Sequence, residues 1–356
     1  MLEVSIRKTF GKFTLQTSFT AEKGVLGILG SSGCGKSMTL KCIAGLQKPD
    51  SGSILLNGKP LFSSGSNLDV PSRKRNIGYV FQNYALFPHL TVSQNIAYGL
   101  GHLDRTQHKA KVASMVQRMQ LSGHAHHYPF QLSGGQQQRC ALARTLVTEP
   151  DLLLLDEPFS ALDTHIKHLL EKELIQIIQE NFDGIVLLVT HNIEEAYRIC
   201  DRIMVMDQGR NLQIGAKEDI ISNPVSLTAA RITGCKNLFD VRVLEEHEGH
   251  VLLEAGQLVF KAQKNHTPVS RHMVAGIRAH HLRLHSGVSH KENVFECEVV
   301  EKVEGVFSTT LQVDCRGLLF QLEIAKASCP HLTGTDRGRL RLHIPMKRVF
   351  LMEPEV

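Results

Sequence analysis

The stretch GSSGCGKS, residues 30–37, constrains the fold of this chain more than any other segment. It fits the pattern G-x-x-x-x-G-K-[ST], follows the apolar run VLGIL at 25–29 and precedes the helical pattern MTLKCIAGL. Glycines between a buried strand and a helix let backbone N–H groups curl around phosphate oxygens, and the helix N-terminus attracts anions. The segment therefore predicts a phosphate-binding loop, with the Lys36 charge on the terminal phosphates and the Ser37 hydroxyl on Mg²⁺. The residues expected to contact the nucleotide are Gly30, Ser31, Ser32, Gly33, Cys34, Gly35, Lys36, Ser37 and Met38.

Two further apolar runs, LLLL at 152–155 and IVLLV at 185–189, have the length of strands buried on both faces of a parallel sheet. Between them, apolar residues from Ile166 to Ile178 recur at helical spacing, and Asp163 is placed to cap that helix. Strands that alternate with helices predict a doubly wound α/β domain over residues 1–235. Residues 236–356 contain short strand patterns joined by Gly- and charge-bearing turns, which predict a small β domain, barrel-like or OB-like.

Polar side chains follow the two later strands where each strand ends. Asp156 and Glu157 come after LLLL, and His191 comes after IVLLVT. Ligands bind α/β sheets at the carboxyl ends of their strands, so Asp156 is expected to hold Mg²⁺ together with Ser37. Glu157 is the better candidate for the base that activates water, since a metal-bound aspartate is poorly placed for that task. His191 is expected to contact the γ-phosphate or the attacking water; a structural histidine is the alternative.

The segment LSGGQ contains a second candidate anion site. With Ser133 as N-cap, Gln136 is the third residue of a helix, which completes an S-x-x-Q capping box. Gly134 and Gly135 leave the first-turn N–H groups bare, and such a helix end binds anions, although a well-capped helix without a ligand is the simpler reading. One nucleotide needs only one cradle. The second cradle is therefore expected to close over the nucleotide of another copy, in a head-to-tail dimer with two composite sites.

In this order and spacing, GSSGCGKS, LSGGQ, LLLLDEP, SALD and VTHN resemble the nucleotide-binding subunit of an ABC transporter across residues 1–235. The resemblance implies a P-loop ATPase cassette, a mostly parallel sheet with a helical subdomain, that uses ATP and Mg²⁺. It implies an ATP-sandwich dimer in which Ser133, Gly134, Gly135 and Gln136 close over the partner's γ-phosphate. The resemblance also implies that Phe10 stacks on adenine; Phe13 is the fallback, and core packing is the alternative for either ring. It implies that Gln82 senses Mg²⁺ and the attacking water. Asp163 matches the D-loop aspartate, and His191 matches the switch histidine.

The segment NYALFPHLTV resembles importers, and the single cassette with its β tail, TOBE-like by resemblance, does so too. Its apolar cluster is suited either to docking a permease helix or to packing the helical subdomain. The cluster consists of Tyr84, Leu86, Phe87, Pro88 and Leu90. The resemblance implies membrane permease subunits and, indirectly, an extracytoplasmic binding protein, with the chain at the cytoplasmic face of the membrane. The expected cargo is an oxyanion, molybdate first and sulfate next. Iron, polyamine and sugar importers remain alternatives, as does a soluble ABC ATPase acting on ribosomes or DNA.

Composition excludes several other classes of protein. The formal charge is only +5 and the basic residues are scattered, so no nucleic-acid partner is expected. The eight cysteines include no Cys-x-x-Cys pair, which argues against structural zinc and a disulfide framework and favours buried thiols in a reducing cytosol. The clusters HAHH (124–127) and RAHH (278–281) lack carboxylate or cysteine partners at ligand spacing and are read as solvated loop histidines. No apolar run approaches the ~20 residues that span a bilayer.

Overall fold

The computed structural model of the chain describes residues 1–100, 104–160, 164–264, 270–284, 292–326 and 339–355. Its contacts divide the chain into two units, Met1–Lys217 and Glu218–Val356. Within the described ranges, no helix combines the length and the apolar character needed to cross a bilayer.

The first unit contains two sheets and the helices that cover them. Its strands are β1 (Leu2–Phe10), β2 (Phe13–Ala21), β3 (Gly24–Leu29), β4 (Ser51–Leu56), β5 (Lys59–Ser63), β6 (Leu68–Asp69), β7 (Ile77–Val80), β8 (Leu152–Asp156), β9 (Ile185–Thr190), β10 (Arg202–Asp207) and β11 (Arg210–Ala216). Its helices are α1 (Lys36–Ala44), α2 (Val92–Ala97), α3 (Arg105–Arg118), α4 (Gly134–Leu146), α5 (Thr164–Asn181) and α6 (Ile193–Ile199).

The central sheet has the strand order β11-β10-β3-β9-β8-β7 and is parallel except for its edge pair β10–β11. Every residue of β8 and β9 is buried, as the continuous apolar runs predicted. The second sheet, β2-β1-β4-β5-β6, is antiparallel. Both sheets and α1 share one core, in which Val4, Leu40, Ile54, Leu154 and Leu187 are each at most 2% exposed. The predicted α/β architecture is confirmed.

The second unit is rich in strands, as predicted. Helix α7 (Lys217–Ser222) begins at the last residue of the first unit, and α8 (Leu227–Ile232) follows it. The strands are β12 (Asn237–Glu246), β13 (His250–Ala255), β14 (Leu258–Gln263), β15 (His272–Ile277), β16 (Arg283–Leu284), β17 (Val294–Glu304), β18 (Ser308–Cys315), β19 (Leu318–Ala325), β20 (Arg339–His343) and β21 (Phe350–Met352).

These strands form two antiparallel sheets, β14-β13-β12-β15-β21 and β16-β20-β17-β18-β19, around one core. Buried residues alternate with less buried ones along β13 and β18, the pattern of strands with a single core-facing side. Asn237 links the sheets, because its amide nitrogen donates to the carbonyls of Ile277 (3.1 Å) and Gln321 (2.9 Å).

The expectation that the cysteines are only buried thiols is wrong for one pair. Cys297 on β17 and Cys315 on β18 are joined by a disulfide. The free cysteines within the described ranges, at 34, 42, 140, 200 and 235, are all buried. Burial raises the pKa of the Cys42 thiol to about 11 and that of Cys140 to about 12, which leaves both thiols protonated and unreactive. Cys329 lies outside the described residues.

A buried arginine attaches the phosphate-loop helix to the rest of the first unit. Arg75 is 2% exposed and donates to the carbonyls of Cys42 (3.0 Å) and Ile43 (2.8 Å) in the last turn of α1. It also donates to the Val70 carbonyl and pairs with Asp69 at 2.9 Å. The Cys42 carbonyl also accepts from the Gly45 N–H, so the guanidinium matters most for the Ile43 carbonyl, one of those that a helix end leaves without an intrahelical partner.

Replacing this arginine is expected to destabilise the first unit. In Arg75→Met the carbonyls of Ile43 and Val70 lose their side-chain donor, whereas the Cys42 carbonyl keeps the Gly45 N–H, at a cost of about 3 kcal/mol in the free energy of unfolding. Urea unfolding of the full chain measures the difference. Arg73→Met, at an exposed position in the same 3₁₀ turn, is the control and should change stability by less than about 0.5 kcal/mol. Equal stability of the two variants would contradict the assigned role of Arg75.

Candidate functional site

The carboxyl ends of four neighbouring parallel strands meet at one edge of the central sheet. Leu29 of β3 is paired with Thr190 of β9, and Asp156 of β8 with Val189. On the other side of β8, Val80 of β7 is paired with Leu155. The segments that follow these strands therefore leave the sheet side by side, and they contain nearly all of the polar residues singled out from the sequence.

Glycines shape the loop between β3 and α1 because two of its positions exclude a side chain. A Cβ at Gly30 would lie 2.3 Å from the Met206 carbonyl oxygen. Gly35 caps α1 at φ +110°, a left-handed conformation, and a Cβ there would also approach Phe13 at 3.1 Å. The backbone can adopt this curve only with glycine.

Lys36 lies inside that curve. Its side chain is 4% exposed, and Nζ donates to the carbonyls of Gly30 and Ser31, both at 2.9 Å. The loop borders a cleft of about 510 Å³ whose polar lining includes Lys36, Ser37 and Glu157. A buried ammonium at the mouth of a helix, opening on a cleft, is a favourable position for phosphate.

Aromatic side chains line the same cleft. Phe10 is 66% exposed there, while Phe13 also packs against the core of the first unit. Both candidate stacking residues are therefore at the loop, and Phe10 has the more accessible ring. Lys41 and Gln47 line the cleft as well, although the sequence motifs did not indicate them.

Asp156 is held from both sides by hydroxyl groups. Ser37 Oγ donates to Asp156 Oδ1 at 2.7 Å, and the Tyr79 hydroxyl donates to Oδ2 at 2.8 Å. Burial, reinforced by the Asp156 charge, raises the pKa of Tyr79, so its hydroxyl remains a donor. Ser37 and Asp156, which the sequence predicts to hold Mg²⁺ together, are thus in direct contact. Tyr79 was missed, because nothing local in IGYV shows that β7 pairs with β8.

Glu157 and His191 form a pair at the same edge. Glu157 Oε2 and His191 Nδ1 are 3.2 Å apart, with side-chain exposures of 18% and 54%. Glu157 has φ +45°, an unfavourable conformation for a residue with a side chain. Its backbone N–H donates to the Val189 carbonyl at 3.0 Å, and Ser160 donates to its carbonyl. The strained backbone is thereby fixed, with the carboxylate in the cleft.

The turn that contains His191 is fixed from the other side. Thr190 Oγ1 donates to Glu195 Oε2 at 2.6 Å and accepts from the Asn192 N–H at 3.0 Å. Asn192 in turn caps α6 through the N–H groups of Glu194 and Glu195. These contacts connect residues at most five positions apart, so the capping signal was available in the sequence, although it was not used.

Gln82 lies two residues beyond β7, and its side chain is exposed. The loop after it is anchored. Tyr84 and Ala85 have φ +60° and +45°, and Arg144 donates to both of their carbonyls. Tyr84 is 4% exposed and belongs to the core, whereas Phe87 is half-buried under the Arg144 guanidinium. The apolar cluster predicted here is thus partly core and partly surface.

The predicted capping box at the start of α4 is present. Ser133 Oγ accepts from the Gln136 N–H at 3.3 Å, and Gln136 Oε1 accepts from the Ser133 N–H at 2.9 Å. Ser133 and Gly134 are exposed, while a Cβ at Gly135 would lie 2.7 Å from Leu170 of α5. Of the described residues, none from α4 lines the cleft beside Lys36. Asp163, expected to act with this segment, lies outside the described residues.

The reading of the histidine clusters as solvated is wrong for three side chains. His124 and His127 are half-buried and in contact, with 3.1 Å between their Nδ1 atoms. His281 is also half-buried, and burial together with neighbouring His280 lowers its pKa to about 4. His126 and His280 are exposed, as expected. The described residues contain no group of three or more His, Cys, Asp or Glu side chains arranged to hold a metal.

Comparisons with known proteins all indicate the same family. Residues 15–160 match the family model described as ABC transporter. The chain is 40% identical over 279 residues to the sulfate/thiosulfate import ATP-binding protein CysA of Thermosynechococcus vestitus, covering 75% of this chain and 80% of the relative. It is 41% identical to the Fe(3+) ions import ATP-binding protein FbpC 2 of Haemophilus influenzae, over 65% of each chain. It is 40% identical to the spermidine/putrescine import ATP-binding protein PotA of the same species, over 70% of this chain and 66% of the relative.

Solved structures agree with that family. The cbiO1 protein of Clostridium perfringens, part of the ABC transporter complex cbiONQ, superposes with a TM-score of 0.55 at 29% identity. This match covers 62% of the present chain and 89% of cbiO1. The dimeric ATP-binding cassette MJ0796 bound to ADP and Pi superposes with a TM-score of 0.51 at 27% identity, over 61% of this chain and 99% of that one.

Proposed function

This chain belongs to the ABC transporter family of ATP-binding proteins, and from that membership we propose that it hydrolyses ATP as a homodimer to drive uptake of an oxyanion through a separate membrane permease. Its relatives are import ATP-binding subunits, so the chain is an ATPase subunit of the importer type. The observation that supports the site assignment is the edge where β3, β8 and β9 end together beside Lys36, Asp156, Glu157 and His191.

The residues at this edge fit a nucleotide with Mg²⁺. Lys36 and the loop N–H groups would hold the phosphates, and Phe10 would stack on the base. Ser37 and Asp156 offer oxygen donors already 2.7 Å apart, and oxygen donors are the ligands that Mg²⁺ prefers. Mg²⁺, when bound, neutralises phosphate charge. Tyr79 keeps the Asp156 carboxylate oriented, and Gln82 is proposed to reach the metal and the attacking water.

Glu157 is proposed as the base for hydrolysis. Its carboxylate accepts a proton from water as the water oxygen forms a bond to the γ-phosphorus, and the bond from that phosphorus to the bridging oxygen breaks to release ADP and phosphate. His191, 3.2 Å from Glu157, orients the carboxylate and contacts the γ-phosphate. Because the backbone that carries Glu157 and the turn that contains His191 are held before ATP arrives, little backbone reorganisation is needed at the reaction step.

The start of α4 is proposed to complete the site of a second copy. Its capped first turn exposes Ser133 and Gly134, and the cleft beside Lys36 includes no described residue of α4. A helix N-terminus with bare N–H groups binds anions. In a head-to-tail dimer, Ser133–Gln136 of each copy would contact the γ-phosphate held by the other, with Asp163 at the same interface.

The substrate assignment depends on subunits outside this chain. Relatives for sulfate, iron and polyamine have nearly the same identity to it, 40%, 41% and 40%. Import cargo is bound by the permease and an extracytoplasmic binding protein, which leaves little trace in the ATPase sequence. We propose that the cargo is an oxyanion. The similarity to CysA supports sulfate, whereas molybdate is supported only by the resemblance of sequence motifs. The chain would act at the cytoplasmic face of the membrane, with Phe87 and its neighbours against the permease.

Two functional domains are proposed, an ATPase cassette at 1–235 and a TOBE-like regulatory domain at 236–356. Support for the second comes from its two sheets around a single core, an independent body that can contact a ligand or a second copy. The same residues suit tail-to-tail contact between copies.

Replacing the proposed base separates binding from chemistry. Glu157→Gln should still bind ATP and elute as an ATP-bound dimer in gel filtration, while its hydrolysis rate falls by on the order of 10²-fold or more.

Replacing the lysine of the phosphate loop should instead weaken ATP binding itself. The affinity of Lys36→Ala is measured by titration with a fluorescent ATP analogue. Glu180→Gln, at an exposed position on α5, is the control and should behave as wild type. Normal turnover in Glu157→Gln would remove this residue from its role.

Mixing two inactive variants tests whether sites are shared. In a mixed dimer of Ser133→Arg with Lys36→Ala, one composite site contains both lesions and the other is intact. A 1:1 mixture should recover up to roughly a quarter of wild-type ATPase activity, since half of the dimers are mixed and each has one sound site. Each variant alone is the control. The amount of ATP retained per dimer is measured together with the ATPase rate. If neither quantity recovers in the mixture, the result would argue against active sites shared between copies.

The cargo can be identified from the partner that binds it. The extracytoplasmic binding protein that operates with this chain is expected to retain a tetrahedral oxyanion, either sulfate or molybdate, in native mass spectrometry. Calorimetry with sulfate, molybdate, Fe³⁺ and spermidine then ranks the ligands. Preferential binding of Fe³⁺ or spermidine would overturn the oxyanion assignment and leave the ATPase assignment intact.

A further inference from the structure

Two histidines of the HAHH segment form a hydrogen-bonded chain that ends on the capping box of α4. His124 Nδ1 and His127 Nδ1 are 3.1 Å apart, with their rings inclined at 61°. On its other side, His124 Nε2 lies 3.0 Å from Gln136 Nε2. The segment is anchored to α2, because Val92 and Ser93 donate their N–H groups to the carbonyls of His127 and Ala125.

The capping box determines where the protons in this chain lie. Gln136 Oε1 accepts from the Ser133 N–H, so the other end of the amide, Nε2, is a donor and points at His124. His124 Nε2 must then be an unprotonated acceptor, which places the ring proton on Nδ1. That proton is donated to His127 Nδ1, and His127 carries its own proton on Nε2. The hydrogen-bond partners thus define one tautomer for each ring.

Apart from its cap, the N-terminus of α4 is supported by Gln137, whose side-chain nitrogen donates to the carbonyls of Pro129 (3.1 Å) and Leu132 (3.2 Å). Its first two residues are Gly134 and Gly135, which lose more conformational freedom in a helix than any other residue. Its first turn contains no acidic side chain to favour the helix dipole. Ser133 and Gln136 thus hold this turn by two hydrogen bonds, and Gln136 can keep its part only while its amide does not rotate.

We propose that His124 and His127 are positioning residues for ATP hydrolysis, which lock the Gln136 amide so that the first turn of α4 presents its N–H groups in a fixed direction. The inference rests on the proposed role of Ser133–Gln136 at the partner's nucleotide. Without an acceptor at the ε position of residue 124, the amide nitrogen of Gln136 loses its partner, the amide turns, and the Ser133 N–H loses its cap. His127 acts one step further back, by fixing the tautomer of His124.

The two positions should respond to opposite conservative replacements. Glutamine places an oxygen near the ε position of a histidine ring, whereas asparagine places one near the δ position. His124→Gln should therefore keep the acceptor for Gln136, and His124→Asn should lose it. At residue 127 the order reverses, because Asn can accept from His124 Nδ1 and Gln cannot do so in the same place. Shape alone would not produce this crossed pattern.

The experiment measures ATPase rates of the full-length variants over a range of ATP concentrations. We expect His124→Gln and His127→Asn to remain within about twofold of wild type. His124→Asn, His124→Leu and His127→Gln should lose about fivefold in kcat, the factor that corresponds to one lost helix cap. Binding of a fluorescent ATP analogue to isolated copies should be unchanged, since the Lys36 loop is untouched. His126→Gln, at the exposed position between the two histidines, is the control.

Thermal unfolding and Ser133→Arg complete the design. Equal rates for the paired Gln and Asn variants, or rates that simply follow the Tm of each variant, would overturn the positioning role. If Ser133→Arg hydrolyses ATP normally, the shared-site proposal itself fails. If Ser133→Arg is inactive while every histidine variant is active, the shared site stands and only the histidine inference fails.

Discussion

Parallel pairing of β3, β9, β8 and β7 is the constraint on which the site depends. Backbone hydrogen bonds hold neighbouring strands about 4.8 Å apart, so residues that follow paired strand ends are neighbours regardless of their separation along the chain. The pairs Leu29–Thr190 and Val189–Asp156 bring a glycine loop beside a carboxylate and a histidine that both lie more than 100 residues further along the chain. A slip of one residue in either ladder would turn Asp156 to the opposite face and separate it from Ser37.

The same edge accumulates unfavourable backbone conformations. Gly35 can adopt its left-handed conformation freely, but Glu157 has a side chain and φ +45°. Such a residue costs on the order of 1–3 kcal/mol, and the cost persists only where surrounding bonds leave no alternative. Here the Val189 carbonyl and Ser160 hold the Glu157 backbone. The strained backbone at the end of β8 costs stability, but it places the Glu157 carboxylate in the cleft. A relaxed backbone would direct this carboxylate elsewhere.

Local signals in the sequence predicted most of the cassette, and contacts between distant segments explain what was missed. The strands at 25–29, 152–155 and 185–189 and the capping box at Ser133 depend on residues a few positions apart. Tyr79 reaches Asp156 across 77 positions, and its role depends on which strands are paired. The disulfide of Cys297 and Cys315 spans 18 positions and depends on the register of β17 with β18. The hydrophobic periodicity of a strand does not show which residues of the neighbouring strand it is paired with. The HAHH segment differs from its prediction for a related reason: the partner of His124 is Gln136, which lies on another element.

An active centre divided between copies, as proposed, would change what a side chain near α4 can control. Within one copy the Lys36 loop is supported by glycines, by Arg75 at the far end of α1 and by the central sheet, and this support makes it ready for nucleotide. The start of α4 is held by side chains: by its cap, by the contact of Gln136 with His124, and by Gln137, which donates to the carbonyls of Pro129 and Leu132. In the proposed head-to-tail pair, the half built on the central sheet would bind nucleotide and the half held by side-chain contacts would close on it, so we expect closure to be the step most sensitive to small changes. A side chain that stabilises α4 in one copy would then act on ATP held by the other, without any change in the loop that binds the nucleotide.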